Sequence, residues 1–134
     1  MKIRTVELTG AALDWAVEDA EFCRQLEEGT PVKECVMRNH DAGLVTHKVT
    51  ADDLLNLIDR ERITIHCFDG LWMGFIFERN SFGLPVRRDV PRKGLFGDFV
   101  TVARSIGCDP LEATKRCYVA SKRGDKVDVP DALL

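Results

Sequence analysis

Residues 62–77 read "RITIHCFDGLWMGFIF". Two runs rich in β-branched and aromatic residues flank Asp69-Gly70, a dipeptide suited to a two-residue type I′ turn. The pattern predicts a β-hairpin, and the turn length sets its register. Phe68 opposes Leu71, His66 opposes Met73, and Thr64 opposes Phe75. Side chains alternate along a strand, so one face carries Thr64, His66, Phe68, Leu71, Met73, Phe75 and Phe77. The other carries Ile63, Ile65, Cys67, Trp72, Gly74 and Ile76. Both faces are apolar, and both need cover. The reading is an α+β chain: a small antiparallel sheet, built on the hairpin at 62–78, sandwiched between helices.

The flanking segments supply candidate helices. "TGAALDWAVEDAEFCRQLEE" predicts one from about Gly10 to Glu28. Thr9 suits its N-cap, where a hydroxyl can accept an orphan backbone N–H. Leu8 and Leu13 fall at hydrophobic-staple positions. Asp14, Glu18, Glu21, Gln25 and Glu28 share one narrow face. Leu13, Ala16, Val17, Ala20 and Cys23 lie opposite, with Trp15, Phe22 and Leu26 widening the apolar arc. The acids read as a solvated ridge, and Gly29-Thr30-Pro31 ends the helix. Residues 31–50 read as two short strands around Asn39–Gly43, or as a loop. Thr50-x-x-Asp53 resembles a capping box, so a second helix begins after Thr50, with Leu54, Leu55, Leu57 and Ile58 on its apolar side.

Beyond the hairpin, "RNSFGLPVRRDVPRKG" at 79–94 holds five bases against one acid and two prolines. It reads as a loop, or a loop with an edge strand. Phe96, Phe99, Val100, Ala103 and Ile106 fall at helical spacing, which predicts a short helix closed by Gly107. The last helix has full punctuation: Asp109 at the N-cap, Pro110 in the first turn, Glu112 at N3 and Gly124 after the end. Leu111, Ala113, Thr114, Cys117, Tyr118, Ala120 and Ser121 share its inward half. Lys115, Arg116, Lys122 and Arg123 share the outward half, with Val119 among them. "KVDVP" leaves as an extended tail.

Composition narrows the function classes. At 134 residues, 45% apolar and 31% charged, the chain is expected to be one soluble domain spanning 1–134. No apolar run is long enough to span a bilayer. The N-terminus lacks the apolar core of a signal peptide, so a cytoplasmic protein is expected. The five cysteines are odd in number and widely spaced, as small buried residues in a reducing compartment would be. The net charge of −3 hides an asymmetry. Residues 7–34 hold eight acids and two bases, and residues 79–126 hold eleven bases and five acids. Such a dipole can attract an anionic partner or join the two halves to each other.

Few motifs point to chemistry. No glycine loop for phosphate is present. Cys117 sits on an inward helix face between Ala113 and Ala120, where a nucleophile would lack a base. Ser121 and Lys122 are adjacent on a helix and diverge. Arg123-Gly124-Asp125 reads as helix-end punctuation. Cys35, His40, Asp41 and His47 lack the paired spacing of a metal site and read as surface loop residues. His66 reads as a core histidine. No cofactor, metal or catalytic residue is assigned. The candidate binding residues are the helix quartet Lys115, Arg116, Lys122 and Arg123, and the loop cluster Arg87, Arg88, Arg92 and Lys93. These could neutralise an anion, or pair with the acidic ridge of the same or another subunit.

"TVELTGAALDWAV" near the start and "PLEATKRCYVASKRGDKVDVPDALL" at the end resemble the two end signatures of the phage NinX-like family, a family of unknown function in tailed phages and prophages. "IDRERITI" and the Trp72 strand resemble its central segment. More distantly, the order of elements is similar to phage domains described as an α–β–α sandwich. Residues 35–50 and 84–107 depart from the family, the latter as an added loop and helix. The resemblance implies a phage or prophage accessory protein and brings no catalytic residue. The expectation is a non-catalytic protein that binds a host or phage protein, self-association being one form of this. The alternative is a nucleic-acid-binding factor that uses the basic helix face.

Overall fold

The hairpin forms in the expected register. In the computed structural model, which describes residues 1–44 and 48–134, Phe68 pairs with Leu71, His66 with Met73 and Thr64 with Phe75. Asp69 and Gly70 take φ of +51° and +78°, the positive values that a type I′ turn needs.

The described elements run β1 (Lys2–Arg4), α1 (Gly10–Glu27), α2 (Glu34–Asp41), α3 (Ala51–Glu61), β2 (Thr64–Phe68), β3 (Leu71–Phe77), β4 (Thr101–Gly107), α4 (Pro110–Arg123) and β5 (Lys126–Asp128). A three-stranded antiparallel sheet has the order β2-β3-β4, and β1 pairs with β5 in a second small sheet. The α+β architecture is the one expected. The tail "KVDVP" contributes β5, and Met1 N–H reaches the Val129 carbonyl at 3.0 Å, closing the chain ends together.

The helix predicted at 96–106 does not form: residues 96–98 make a turn, and 101–106 belong to the strand β4. The segment's apolar residues follow the helical period, but pairing with β3 overrides it: Ile106 opposes Met73 and Arg104 opposes Phe75 across β3–β4. The register shifts between Ile76 and Phe77, and Val102 is exposed. Residues 34–41 also differ. Glu34–Asp41 form the helix α2 rather than strands or a loop, and its ring of His40 is only 1% exposed.

α4 is the central helix. It lies on the sheet face made by Ile65, Gly74, Ile76, Ala103 and Gly107, with α1 against its other side. Small residues on both partners bring them close: Cys117 Sγ sits 4.0 Å from the Ala103 carbonyl. Its N-terminus is capped as expected, with Asp109 accepting from Glu112 N–H at 2.7 Å. Thr50 and Asp53 form the expected capping box of α3. Thr9 sits at the α1 N-cap, but its side chain makes no cap bond. Leu8, Leu13, Trp15, Val17, Leu54, Leu57, Ile63, Tyr118, Val119, Val127 and Val129 fill the core around α4. Each such side chain contributes about 1.5–3 kcal/mol when fully buried.

The second sheet face is covered differently from expectation. Phe75 and Phe77 are buried beneath Phe96, whose ring centroid lies 5.1 and 5.3 Å from theirs, edge-on. Phe99 adds a contact to Phe77 at 5.5 Å. The cover here is the segment between β3 and β4, where helices were expected. Phe96 takes φ +57°, a left-handed conformation that costs a bulky residue energy and is held by the ring's insertion. Toward the turn, Phe68, Leu71 and Ile106 remain exposed on this face.

Candidate functional site

The two basic groups stand in different environments. In the helix quartet, Lys115 Nζ lies 2.7 Å from Asp14 Oδ1, Lys122 Nζ 3.6 Å from Glu61 Oε1, and Arg123 Nε 2.9 Å from Asp19 Oδ2. Arg116 is not outward at all. It is 7% exposed, donates to the Leu8 and Ile106 carbonyls at 3.0 Å each, and pairs with Glu112 at 2.8 Å. A helix packed on one side against a sheet and on another against α1 has little free surface, so its cations serve the fold. Val119, placed outward by the sequence pattern, is buried for the same reason, while Leu111 is exposed.

The acids of α1 are the partners. The expected solvated ridge lies between helices. Glu21 accepts from Tyr118 Oη, from Arg60 and, at 3.1 Å, from Arg24. Burial works to raise the Glu21 carboxyl, but the hydrogen bonds from Tyr118, Arg60 and Arg24 outweigh it and hold the group below the usual range. Burial first, and the Glu21 carboxylate second, push the Tyr118 phenol up.

Glu18 and Asp19 grip His40. Nδ1 lies 2.9 Å from Glu18 Oε1 and Nε2 3.0 Å from Asp19 Oδ1. The imidazole stacks on Trp15 at 4.3 Å, and the Trp15 indole N–H donates to the His40 carbonyl at 2.7 Å. His40 is therefore a buried clip between α1 and α2, not a surface loop residue. Trp15 and Phe22, flanking the acids on α1, were the signal that this ridge would be covered. Cys35 and Asp41 are exposed, and His47 lies outside the described residues. Among the described residues no group of three His, Cys, Asp or Glu side chains could hold a metal ion.

No activated nucleophile emerges at the residues weighed. Burial pushes the Cys117 thiol up to about 12, the opposite of what attack requires. His66 meets the edge of Phe96 at 6.1 Å. Ser121 Oγ donates to the Tyr118 carbonyl at 2.6 Å. Arg123-Gly124-Asp125 closes α4: Gly124 has φ +80°, and Thr5 donates to its carbonyl at 2.7 Å.

The loop cluster remains. Residues 79–104 hold six bases (Arg79, Arg87, Arg88, Arg92, Lys93, Arg104) and two acids (Asp89, Asp98), hence +4. None of these bases makes a salt bridge among the described residues. The segment is ordered by its own backbone. Val86 N–H donates to Glu78 O at 2.8 Å, Val100 to Val86 at 2.9 Å and Arg88 to Asp98 at 2.7 Å. Bridges Arg79–Pro85 and Arg87–Phe99 give it the strand-like edge that the prolines allowed. Arg87 lies over the Phe99 ring at 5.5 Å. Apolar side chains stand among the bases: Phe82 is 87% exposed, and Leu84, Val90 and Leu95 are exposed too. Exposed aromatics could not be seen in the sequence pattern.

No family model matches the chain, and no curated protein matches it.

Proposed function

We propose that this chain is a non-catalytic phage or prophage accessory protein of the bacterial cytoplasm that binds another protein, of host or phage. Its docking surface is the arm between β3 and β4. The observation that carries this reading is the arm's composition: arginines that make no salt bridge among the described residues, interleaved with the exposed Phe82, Leu84, Val90 and Leu95. Protein interfaces are enriched in such arginine and aromatic anchors. The end signatures support the phage origin by resemblance. A compatible fact is that no helix among the described residues is long and apolar enough to cross a membrane.

The arm's uncompensated charge favours one second reading, in which it contacts nucleic acid. The helix quartet no longer supports that reading, since its cations are paired within the chain.

The test is affinity capture from infected cells with quantitative mass spectrometry, then reconstitution with the purified partner. Wild type is compared with Phe82→Ser/Arg87→Glu and with Lys122→Gln. Loss of one protein with the arm variant alone supports the proposal. Equal capture by all three overturns it. Retention on DNA or RNA that falls steeply with salt and depends on Arg87 and Arg92 would transfer the arm to the second reading. Light scattering separates a second copy of the chain from a foreign partner.

A further inference from the structure

We infer that the recess above Phe96 is a binding site for a phosphate-monoester oxyanion. Arg88, Arg92, Lys93 and Arg104 surround it, with Phe96 and Phe99 on its apolar side, and its volume is about 180 Å³. The inference rests on the reading of the arm as a binding surface and adds the chemistry of one ligand group.

Four cationic residues line the recess, and among the described residues no carboxylate pairs with any of them. Like charges held together repel unless an anion joins them. The backbone sets their places. Arg104 is fixed by its register opposite Phe75. Arg88 donates Nε to the Phe99 carbonyl at 2.9 Å, which orients the guanidinium and leaves its terminal nitrogens for another acceptor. Arg92 N–H donates to Gly97 O at 2.9 Å, closing a tight loop. That loop admits only glycine at 97, because a Cβ there would stand 1.8 Å from the Arg92 carbonyl oxygen. Phe96 pins the loop from beneath.

The charge and size select the ligand. Guanidinium forks match tetrahedral oxyanions, and a phosphoryl group near neutral pH carries close to two negative charges. A recess this small is below the roughly 300 Å³ of sites for drug-sized molecules. It takes one phosphoryl group, with an apolar ester body resting on the phenylalanines.

The experiment titrates the full chain with inorganic phosphate, phenyl phosphate and chloride at matched ionic strength, followed by calorimetry and by amide shifts at Gly97 and Arg104. Phosphate is expected to bind where chloride does not, and phenyl phosphate to bind more tightly than inorganic phosphate. Affinity should rise as pH increases from about 5.5 to 7.5, when the second phosphate proton leaves. Arg92→Gln/Arg104→Gln should weaken binding about tenfold or more, while Lys33→Gln, an exposed charge elsewhere, should not. Thermal melting checks that each variant is folded. Phosphate acting no differently from chloride, or binding the double variant equally well, would overturn the site. If phosphate fails while protein capture still depends on Phe82 and Arg87, the docking surface stands and this inference alone falls.

Discussion

Gly74 lies against Cys117 so closely that a Cβ on the glycine would stand 2.9 Å from the cysteine's own Cβ and 3.0 Å from the Ala113 carbonyl oxygen. The same contact recurs one strand over, where a Cβ on Gly107 would meet Ala113 N at 2.5 Å. The central helix approaches the sheet only because these two positions lack side chains. Gly74→Ala should therefore destabilise the protein by about 1–3 kcal/mol through overpacking, and Gly107→Ala by more, since backbone yields less than a side chain. Urea unfolding should show lower midpoints at an unchanged slope. Unchanged midpoints would mean that α4 can shift off the sheet at no cost.

Glu21 ties α1 to α3 and α4 through Arg60 and Tyr118. Its folded carboxyl is held below the usual carboxylate range. A depressed acid contributes stability that is complete above its unfolded value of about 4.3 and is lost as pH falls through the folded value. Glu21→Gln should cost about 1–3 kcal/mol at pH 7. It should also flatten the fall in stability below about pH 5. Denaturant unfolding across pH 3–7 measures both effects. Parallel acid limbs in the two proteins would remove Glu21 from that role.

How much of this was legible depends on whether local pattern or long-range packing decided the matter. The hairpin was legible because Asp69-Gly70 fixes turn and register together. The punctuation of α4 was legible because Asp109, Pro110 and Gly124 act locally, on backbone within a few residues of themselves. The segment 96–106 was not, because Phe99, Ala103 and Ile106 fall at helical spacing although Ala103 and Ile106 lie on opposite faces of the strand they enter. Pairing with β3, remote in the pattern, overrides that spacing. The ridge Asp14-Glu18-Glu21 looked solvated because a helical wheel cannot show what faces it. Its partners Lys115, His40 and Arg60 come from three other helices. Arg116 was misplaced for a related reason, since one wheel assumes a single buried side and α4 is packed on more than one. The recess above Phe96 had a partial signal in Arg88, Arg92 and Lys93. Arg104 joins them only through the β3–β4 register.

Thiol reactivity should sort the five cysteines by depth. Cys35, Cys67 and Cys108 are exposed, Cys23 is half-buried and Cys117 is buried. Cys23 Sγ also accepts from Arg123 Nη1 at 3.1 Å. At pH 8 a disulfide reagent should modify the three exposed thiols promptly and Cys23 more slowly. Cys117, pushed up to about 12 by burial, should react only in denaturant. Fast labelling of Cys117 in the native protein, located by peptide mapping, would mean that α4 opens readily from the sheet.

Charge removal should separate the basic group that holds the fold from the one that is free. Arg116→Gln removes a buried guanidinium from two carbonyls and Glu112. Losing it strands those acceptors, and a cost of about 2–4 kcal/mol is expected. Lys115→Gln breaks the partly buried contact to Asp14 and should cost about 1 kcal/mol. Arg92→Gln, exposed and without a carboxylate among the described residues, should stay within about 0.5 kcal/mol. It could even stabilise the protein slightly at low ionic strength, because it relieves the repulsion around the recess. Thermal and urea unfolding of the three variants, each at low and high salt, gives the ranking. The decisive comparison is Arg116→Gln with Arg92→Gln. If both were neutral, α4 would not depend on its internal ion pairs, and the quartet would return as a free basic face.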